Sequence, residues 1–267
     1  MAGPVLVTGG TGTLGRHVVR RLVDTGNEVR VLSRRPRPEA GAAGAAAKVQ
    51  PGVTWHTGDL ATGAGLDPAL AGAATVIHCA SDPRHASADI DGTHRLMESA
   101  GRVGVGHLVY ISIVGIDRIP LGYYRTKLAT ENAIMATGQR GPGWTILRTT
   151  QFHDLVLTFV EKLTRPPLVV VPAGISFQPV DVDEVAQRLV TLAGQDPGGR
   201  APDMGGPEVR SMGDLARTYL KMRGKRRPVA PVWLPGAIAR TLRGGANLTA
   251  EHADGRRTWE EFLRAQP

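Results

Sequence analysis

Tyr123 and Lys127 stand four residues apart in a stretch with helical spacing, which stacks a phenol and an ammonium on one helix face. An ammonium beside a phenol favours the phenolate. Such a pair suits proton delivery to, or removal from, a carbonyl during hydride transfer, and Lys127 is also placed to hold the nicotinamide ribose. Ser112 ends an apolar run eleven residues before Tyr123, where its hydroxyl can hydrogen-bond the same carbonyl oxygen. Tyr124 competes with Tyr123, but its i,i+3 spacing to Lys127 makes the shared face less certain.

A second set of residues suits a dinucleotide. In Thr8-Gly9-Gly10-Thr11-Gly12-Thr13-Leu14-Gly15, Gly9 permits a tight turn, Gly12 lets the backbone approach a pyrophosphate, and Gly15 lets helix and strand pack closely. Thr11, Thr13 and Leu14 complete the loop and open a helix whose N-terminus favours negative charge. The second strand ends in Ser33-Arg34-Arg35, with no acid where an NAD site wants one for the ribose. Arginine there can hold a 2′-phosphate, so NADP(H) is preferred over NAD(H). Asp59 and Leu60, after the third strand, are expected at the adenine edge, and Cys79-Ala80-Ser81, after the fourth, along the cofactor's path. Cys79 reads as a small buried residue rather than a nucleophile, since no base is paired with it. No His-x-x-x-His, paired Cys or Gly-x-Ser-x-Gly occurs, so neither a metal nor a serine-hydrolase elbow is expected.

The elements that must position these residues follow a β–α rhythm. Pro4 to Thr8 is strand-like, Leu14 to Thr25 has apolar spacing at Leu14, Val18, Val19 and Leu22, and Glu28 to Leu32 alternates into a second strand. Residues 35–50 are Pro- and Ala/Gly-rich and read as a loop or short helix. Further strands are expected at Val53–His56, Thr75–Cys79, His107–Ser112 and Trp144–Leu147, and helical segments at Asp67–Leu70, Ile90–Val103 and Tyr123–Thr137. Strands alternating with helices imply an α/β, Rossmann-like doubly wound parallel sheet. After Arg148 prolines break the rhythm, leaving two clear amphipathic helices, Val182–Leu192 and Met212–Met222. One domain over 1–267 is expected, with 1–150 a cofactor-binding core and 151–267 mainly substrate-capping elements, Gln151 to Phe177 selecting the substrate.

Composition narrows the partners. Aromatics are only 4%, which argues against stacking platforms for single-stranded nucleic acid, and no groove-reading motif accompanies the net charge of +8. One cysteine excludes an intramolecular disulfide and fits a reducing, cytoplasmic compartment. Neither a signal peptide nor a spanning segment is visible, so a small-molecule substrate is expected, with no nucleic acid, no membrane, and self-association left open.

These motifs resemble the atypical and extended short-chain dehydrogenase/reductase superfamily, and within it the NAD(P)H-binding, NmrA-like branch. The resemblance spans nearly the whole chain. It is carried by the glycine segment, Gly58-Asp59-Leu60, Asp89-Ile90-Asp91-Gly92-Thr93 and Val109-Tyr110-Ile111-Ser112, then by Tyr123-Tyr124-Arg125-Thr126-Lys127, Arg148-Thr149-Thr150-Gln151-Phe152 and Pro179-Val180-Asp181-Val182. It implies a Rossmann-like fold, NADP(H) binding, and a Tyr/Lys pair serving carbonyl or quinone reduction or an isoflavone-reductase-like reaction. Two positions depart from the pattern: Ser112 lies a little close to Tyr123, and Asp89 stands where related extended members often carry asparagine. The branch also contains redox-sensing regulators without turnover, and epimerases or dehydratases with a resident dinucleotide form a third alternative.

Overall fold

The computed structural model describes residues 3–35, 52–82, 86–138 and 141–266. The stretch 35–50, expected as a loop or short helix, lies outside them from residue 36 onward. Seven strands form the main sheet: β1 (Val5–Thr8), β2 (Val29–Ser33), β3 (Val53–Thr57), β4 (Thr75–His78), β5 (His107–Ile113), β6 (Gly143–Thr149) and β9 (Gly199–Arg200). Their order is β3-β2-β1-β4-β5-β6-β9, and the pairings of β1 with β2 and β4, β2 with β3, β4 with β5 and β6 with β9 are parallel. This is the Rossmann-like order. The progression of strand order reverses between β1 and β4, where doubly wound sheets bind ligands outside the carboxyl ends of their strands.

Local sequence explains the elements. β1 and β4 are buried along their whole length, as expected of strands covered on both faces. Helix α1 (Gly15–Asp24) buries Gly15, Val18, Val19 and Leu22, the stripe visible in the sequence. Around the sheet run α2 (Leu66–Leu70), α3 (Ala86–Arg102), α4 (Gly122–Ala136) and α6 (Val182–Ala193). One core cluster joins Leu66 and Leu70 of α2, Leu96 and Met97 of α3, and Ile134 of α4 to the strand residues Leu6, Val76 and Leu108.

The chain divides into two compact units. The first comprises Met1–Ser112, Arg125–Leu147 and Val185–Ala201; the second comprises Ile113–Tyr124, Arg148–Glu184 and Pro202–Pro267. The late segment returns to the first unit because β9 adds to the edge of the main sheet. Within the second unit, α5 (His153–Leu163) and α7 (Met212–Met222) bury Val156, Val160, Leu215 and Tyr219 with Trp259 and Phe262 of α9 (Trp259–Arg264). Beside them are a parallel pair, β7 (Val169–Pro172) with β11 (Val229–Val232), and a short antiparallel pair, β8 (Ser176–Phe177) with β10 (Arg210–Ser211). A last helix, α8 (Ala237–Arg243), follows β11. Gln151, at the head of the stretch expected to select substrate, is buried and structural: it donates to Asn247 O and accepts from Gln178 N.

Candidate functional site

The glycine turn is shaped by contacts that tolerate no side chain at two positions. Gly9 has φ +67° and its carbonyl accepts from Gly12 N at 2.9 Å, closing the turn. A Cβ on Gly9 would lie 2.7 Å from Ala80 N, and one on Gly15 would lie 2.1 Å from Gly9 O. Gly12 differs. Its nearest obstacle is Gly9 O at 3.2 Å, and Thr11, Gly12 and Thr13 are exposed while Leu14 and Gly15 are buried. Helix α1 also begins with no side-chain cap and no acid in its first turn, so its N-terminal partial charge is left for a ligand. A bare backbone position beside an uncapped helix N-terminus fits a pyrophosphate.

The neighbouring strand ends supply further residues. Ser33 Oγ accepts from Arg35 N at 3.1 Å, and both Arg34 and Arg35 are exposed. Asp59 folds its own loop, its Oδ1 accepting from Ala61 N at 2.9 Å, and Leu60 packs against Gly92 of α3. After β4, Ser81 Oγ and Asp82 N both donate at 2.7 Å to the carboxylate of Asp89. Asp89, the position that departs from the extended pattern, thus tethers the loop holding Ala80 and Ser81. Cys79 sits before that loop with its thiol pushed up to about 12 by burial, so it is protonated and inert as a nucleophile at neutral pH.

Behind the turn lies a polar network that sequence reading missed. Sheet register sets Thr8 beside His78 and His78 beside Tyr110. Thr8 Oγ1 lies 2.6 Å from His78 Nδ1, and His78 Nε2 lies 3.0 Å from Thr93 Oγ1. Since Thr93 donates its proton to Asp89 O at 2.8 Å, it must accept from His78, which assigns the Nε2–H tautomer and makes Thr8 the donor to Nδ1. Thr8 Oγ1 accepts in turn from Ala80 N at 3.3 Å, so the network joins the turn after β1 to the loop after β4. The signal available was a polar residue at the end of each of two apolar strands, Thr8 and His78, but only register and the packing of α3 reveal that they meet each other and Thr93.

Burial, together with the charge of Lys127, holds His78 down at about 3 from an ordinary 6.5. An unfolded chain takes up that proton near pH 6.5 while the folded one does not, so stability is full above pH 6.5 and falls as pH drops toward 3. Burial also lowers His56, His107 and His153, adding to the slope. Urea midpoints measured from pH 7 to 4 should therefore decline, and decline less steeply in His78→Asn; equal slopes would remove His78 from the effect.

Lys127 is buried and reaches back to β5, donating to Tyr110 Oη at 2.9 Å and to Ile111 O at 3.1 Å. The Tyr110 ring stacks on His78, and burial drives its phenol well up, so it accepts from the ammonium as a neutral hydroxyl. Next along β5, Ser112 has a buried Oγ with no hydrogen-bond partner among the described residues, a hydroxyl that a water or a bound ligand would complete. Tyr123 and Tyr124 form the first turn of α4, both half-buried, and burial raises the Tyr124 phenol. The structure thus links Lys127 to Ser112 through adjacent residues of β5.

A Rossmann-like parallel sheet with this turn at its switch point defines a dinucleotide-binding α/β protein. A family model for NAD(P)H-binding proteins matches residues 9–193, and the chain belongs to that family, which bears out the superfamily expected from the motifs. It is 32% identical over 209 residues to a (4-alkanoyl-5-oxo-2,5-dihydrofuran-3-yl)methyl phosphate reductase of Streptomyces griseus, covering 77% of this chain and 68% of the relative. A 3-beta-hydroxysteroid dehydrogenase of Mycolicibacterium neoaurum is 31% identical over 52% of this chain, which spans only 44% of that relative. Among solved structures, an NADPH-dependent quinone oxidoreductase of Escherichia coli complexed with NADPH superposes with TM-score 0.79 at 19% identity, covering 97% of this chain and 98% of the other. The protein MoeE5 in complex with UDP-glucuronic acid and NAD gives 0.75 at 22% identity, covering 99% and 97%. At these identities the two structures speak for the fold alone.

Proposed function

We propose that this chain is an NADP(H)-dependent oxidoreductase of the short-chain dehydrogenase/reductase type that reduces a carbonyl, a quinone or a related small organic substrate. The observation that carries the reading is the buried, unpartnered Ser112 hydroxyl directly after Ile111, whose carbonyl anchors the Lys127 ammonium. When bound, the reduced nicotinamide supplies a hydride. Gly12 and the start of α1 would hold the pyrophosphate, Arg34 and Arg35 the 2′-phosphate, Asp59 and Leu60 the adenine edge, and Cys79, Ala80 and Ser81 would line the path between. Ser112 donates to the substrate oxygen, completing its own hydrogen bonding. Tyr123 delivers the proton to that oxygen as negative charge develops there, and Lys127 holds the ribose. A carbonyl leaves as an alcohol, and a quinone as a hydroquinone.

Fluorescence titration of the wild type and Arg34→Ala with NADPH and NADH tests the cofactor assignment. The wild type should favour NADPH, and Arg34→Ala should weaken NADPH about 10-fold or more while leaving NADH unchanged, the scale of a lost hydrogen bond to a charged group. Equal affinity for both nucleotides in the wild type would remove the NADP preference. Tight NADPH binding without consumption across a panel of carbonyls and quinones would replace the enzyme reading by a cofactor sensor.

A further inference from the structure

Parallel strands are normally covered on both faces. The β7–β11 pair is covered on one. Val169 and Val171 are fully buried in the core of the second unit, whereas Val170 and Val232, on the opposite face by alternation, are 45% and 43% exposed. Leu168 immediately precedes β7 and Trp233 and Leu234 immediately follow β11, all three exposed, and Ile238 is exposed on α8. Trp233 is the most exposed large apolar side chain among the described residues, at 66%. It is also held in place: the Arg243 guanidinium stacks 3.7 Å from its ring centre and donates to Leu234 O at 2.9 Å. Exposed large apolar side chains gathered on and around one strand pair mark an interaction site.

Charge says what covers it. From Lys221 to Arg243 the chain carries seven Lys and Arg and no acid, against a net charge of +8 for the whole protein. Arg227 ties the start of this segment to the residues before β7 by donating to the carbonyls of Thr164, Arg165 and Pro166, so the cations Lys225 to Arg227 adjoin the N-terminal end of the β7–β11 pair. Beside it, a cleft of about 720 Å³ is lined by Arg217, Lys221, Lys225 and Arg226. A second copy of the chain would bring this cationic run against itself across a two-fold axis. A nucleic-acid backbone would satisfy the cations and leave the valines and leucines exposed. An anionic bilayer meets both needs, with acyl chains for the apolar face and headgroup phosphates for the basic rim.

We infer that the β7–β11 face, with Trp233 and Leu234 at its tip, docks this protein onto the surface of an anionic lipid bilayer. Among the described residues no helix is long and apolar enough to cross a membrane. Surface docking needs none.

Flotation of the full chain with phosphatidylcholine vesicles, with and without phosphatidylglycerol, tests the inference independently of turnover. Binding is expected only when phosphatidylglycerol is present, and should weaken with salt. Trp233→Ser with Leu234→Ser should lower it at least about 10-fold through lost apolar burial. Lys225→Glu with Arg226→Glu should do the same through lost attraction to the headgroups. All four side chains are exposed, so both double variants should keep the wild-type unfolding midpoint and dinucleotide affinity. Absence of binding to phosphatidylglycerol vesicles overturns the proposal. So does binding undiminished by the Trp233 and Leu234 changes, which would mean adsorption by charge alone. A wild-type dimer that those changes dissociate in sedimentation equilibrium would assign the face to a second copy instead.

Discussion

Tyr123→Phe is expected to lower turnover at least ~100-fold while leaving NADPH affinity within about twofold, the scale of lost general-acid help. The change removes one hydroxyl from a half-buried side chain in the first turn of α4 and leaves the helix its packing. Loss should appear in kcat with little change in KM, because the proton moves only as charge develops on the substrate oxygen. Tyr124→Phe is the matched control. Its phenol is raised by burial, a poor state for giving up a proton, and its turnover should stay near wild type. Were Tyr124→Phe the inactive variant, the proton donor would move one residue along the helix; unchanged turnover in both would remove a tyrosine proton donor altogether.

Gly15→Ala should cost at least ~3 kcal/mol of folding stability, the severe end of overpacking, because the new Cβ would lie 2.1 Å from Gly9 O and 2.8 Å from Gly10 Cα. Neither neighbour is a flexible side-chain end. Both belong to the turn that joins β1 to α1, so relief requires moving the turn itself. Gly12→Ala provides the contrast. With its nearest obstacle, Gly9 O, at 3.2 Å, it should lower the urea midpoint far less than Gly15→Ala, yet weaken dinucleotide binding ~10-fold or more, because the methyl occupies the space proposed for the pyrophosphate. Equal loss of stability in both variants would mean that Gly12, like Gly15, serves packing, and would withdraw the reason for placing the pyrophosphate there.

Much of the sheet was legible because β1, β4 and β5 are largely apolar runs and β2 alternates, each bounded by turn residues, and because α1 shows a clean 3.6-residue stripe. β9 was not. It has two residues, Gly199 and Arg200, and its place at the sheet edge comes from pairing with β6 rather than from any local pattern. The second half was harder for a related reason. Pro231 lies inside β11, and a proline within a run argues against a strand unless its missing amide is not needed for pairing. Helix α9 did carry a signal that went unread, the capping box of Thr258 and Glu261. At the site, the glycine turn and the Arg34-Arg35 pair stand in plain sequence, since a strand–turn–helix unit is local. The Thr8–His78–Thr93 network and the Lys127–Tyr110 contact join residues 15 to 70 positions apart, and only sheet register and helix packing bring them together.

Quinones and unsaturated carbonyls are electrophiles that arylate or alkylate thiolates, so proteins that handle them risk self-inactivation at any ionised cysteine. This chain has one cysteine, Cys79, and its surroundings keep the thiol protonated far above neutral pH. A protein working on the proposed substrates would thereby present them with hydride chemistry at the cofactor and no competing nucleophilic sulfur beside it.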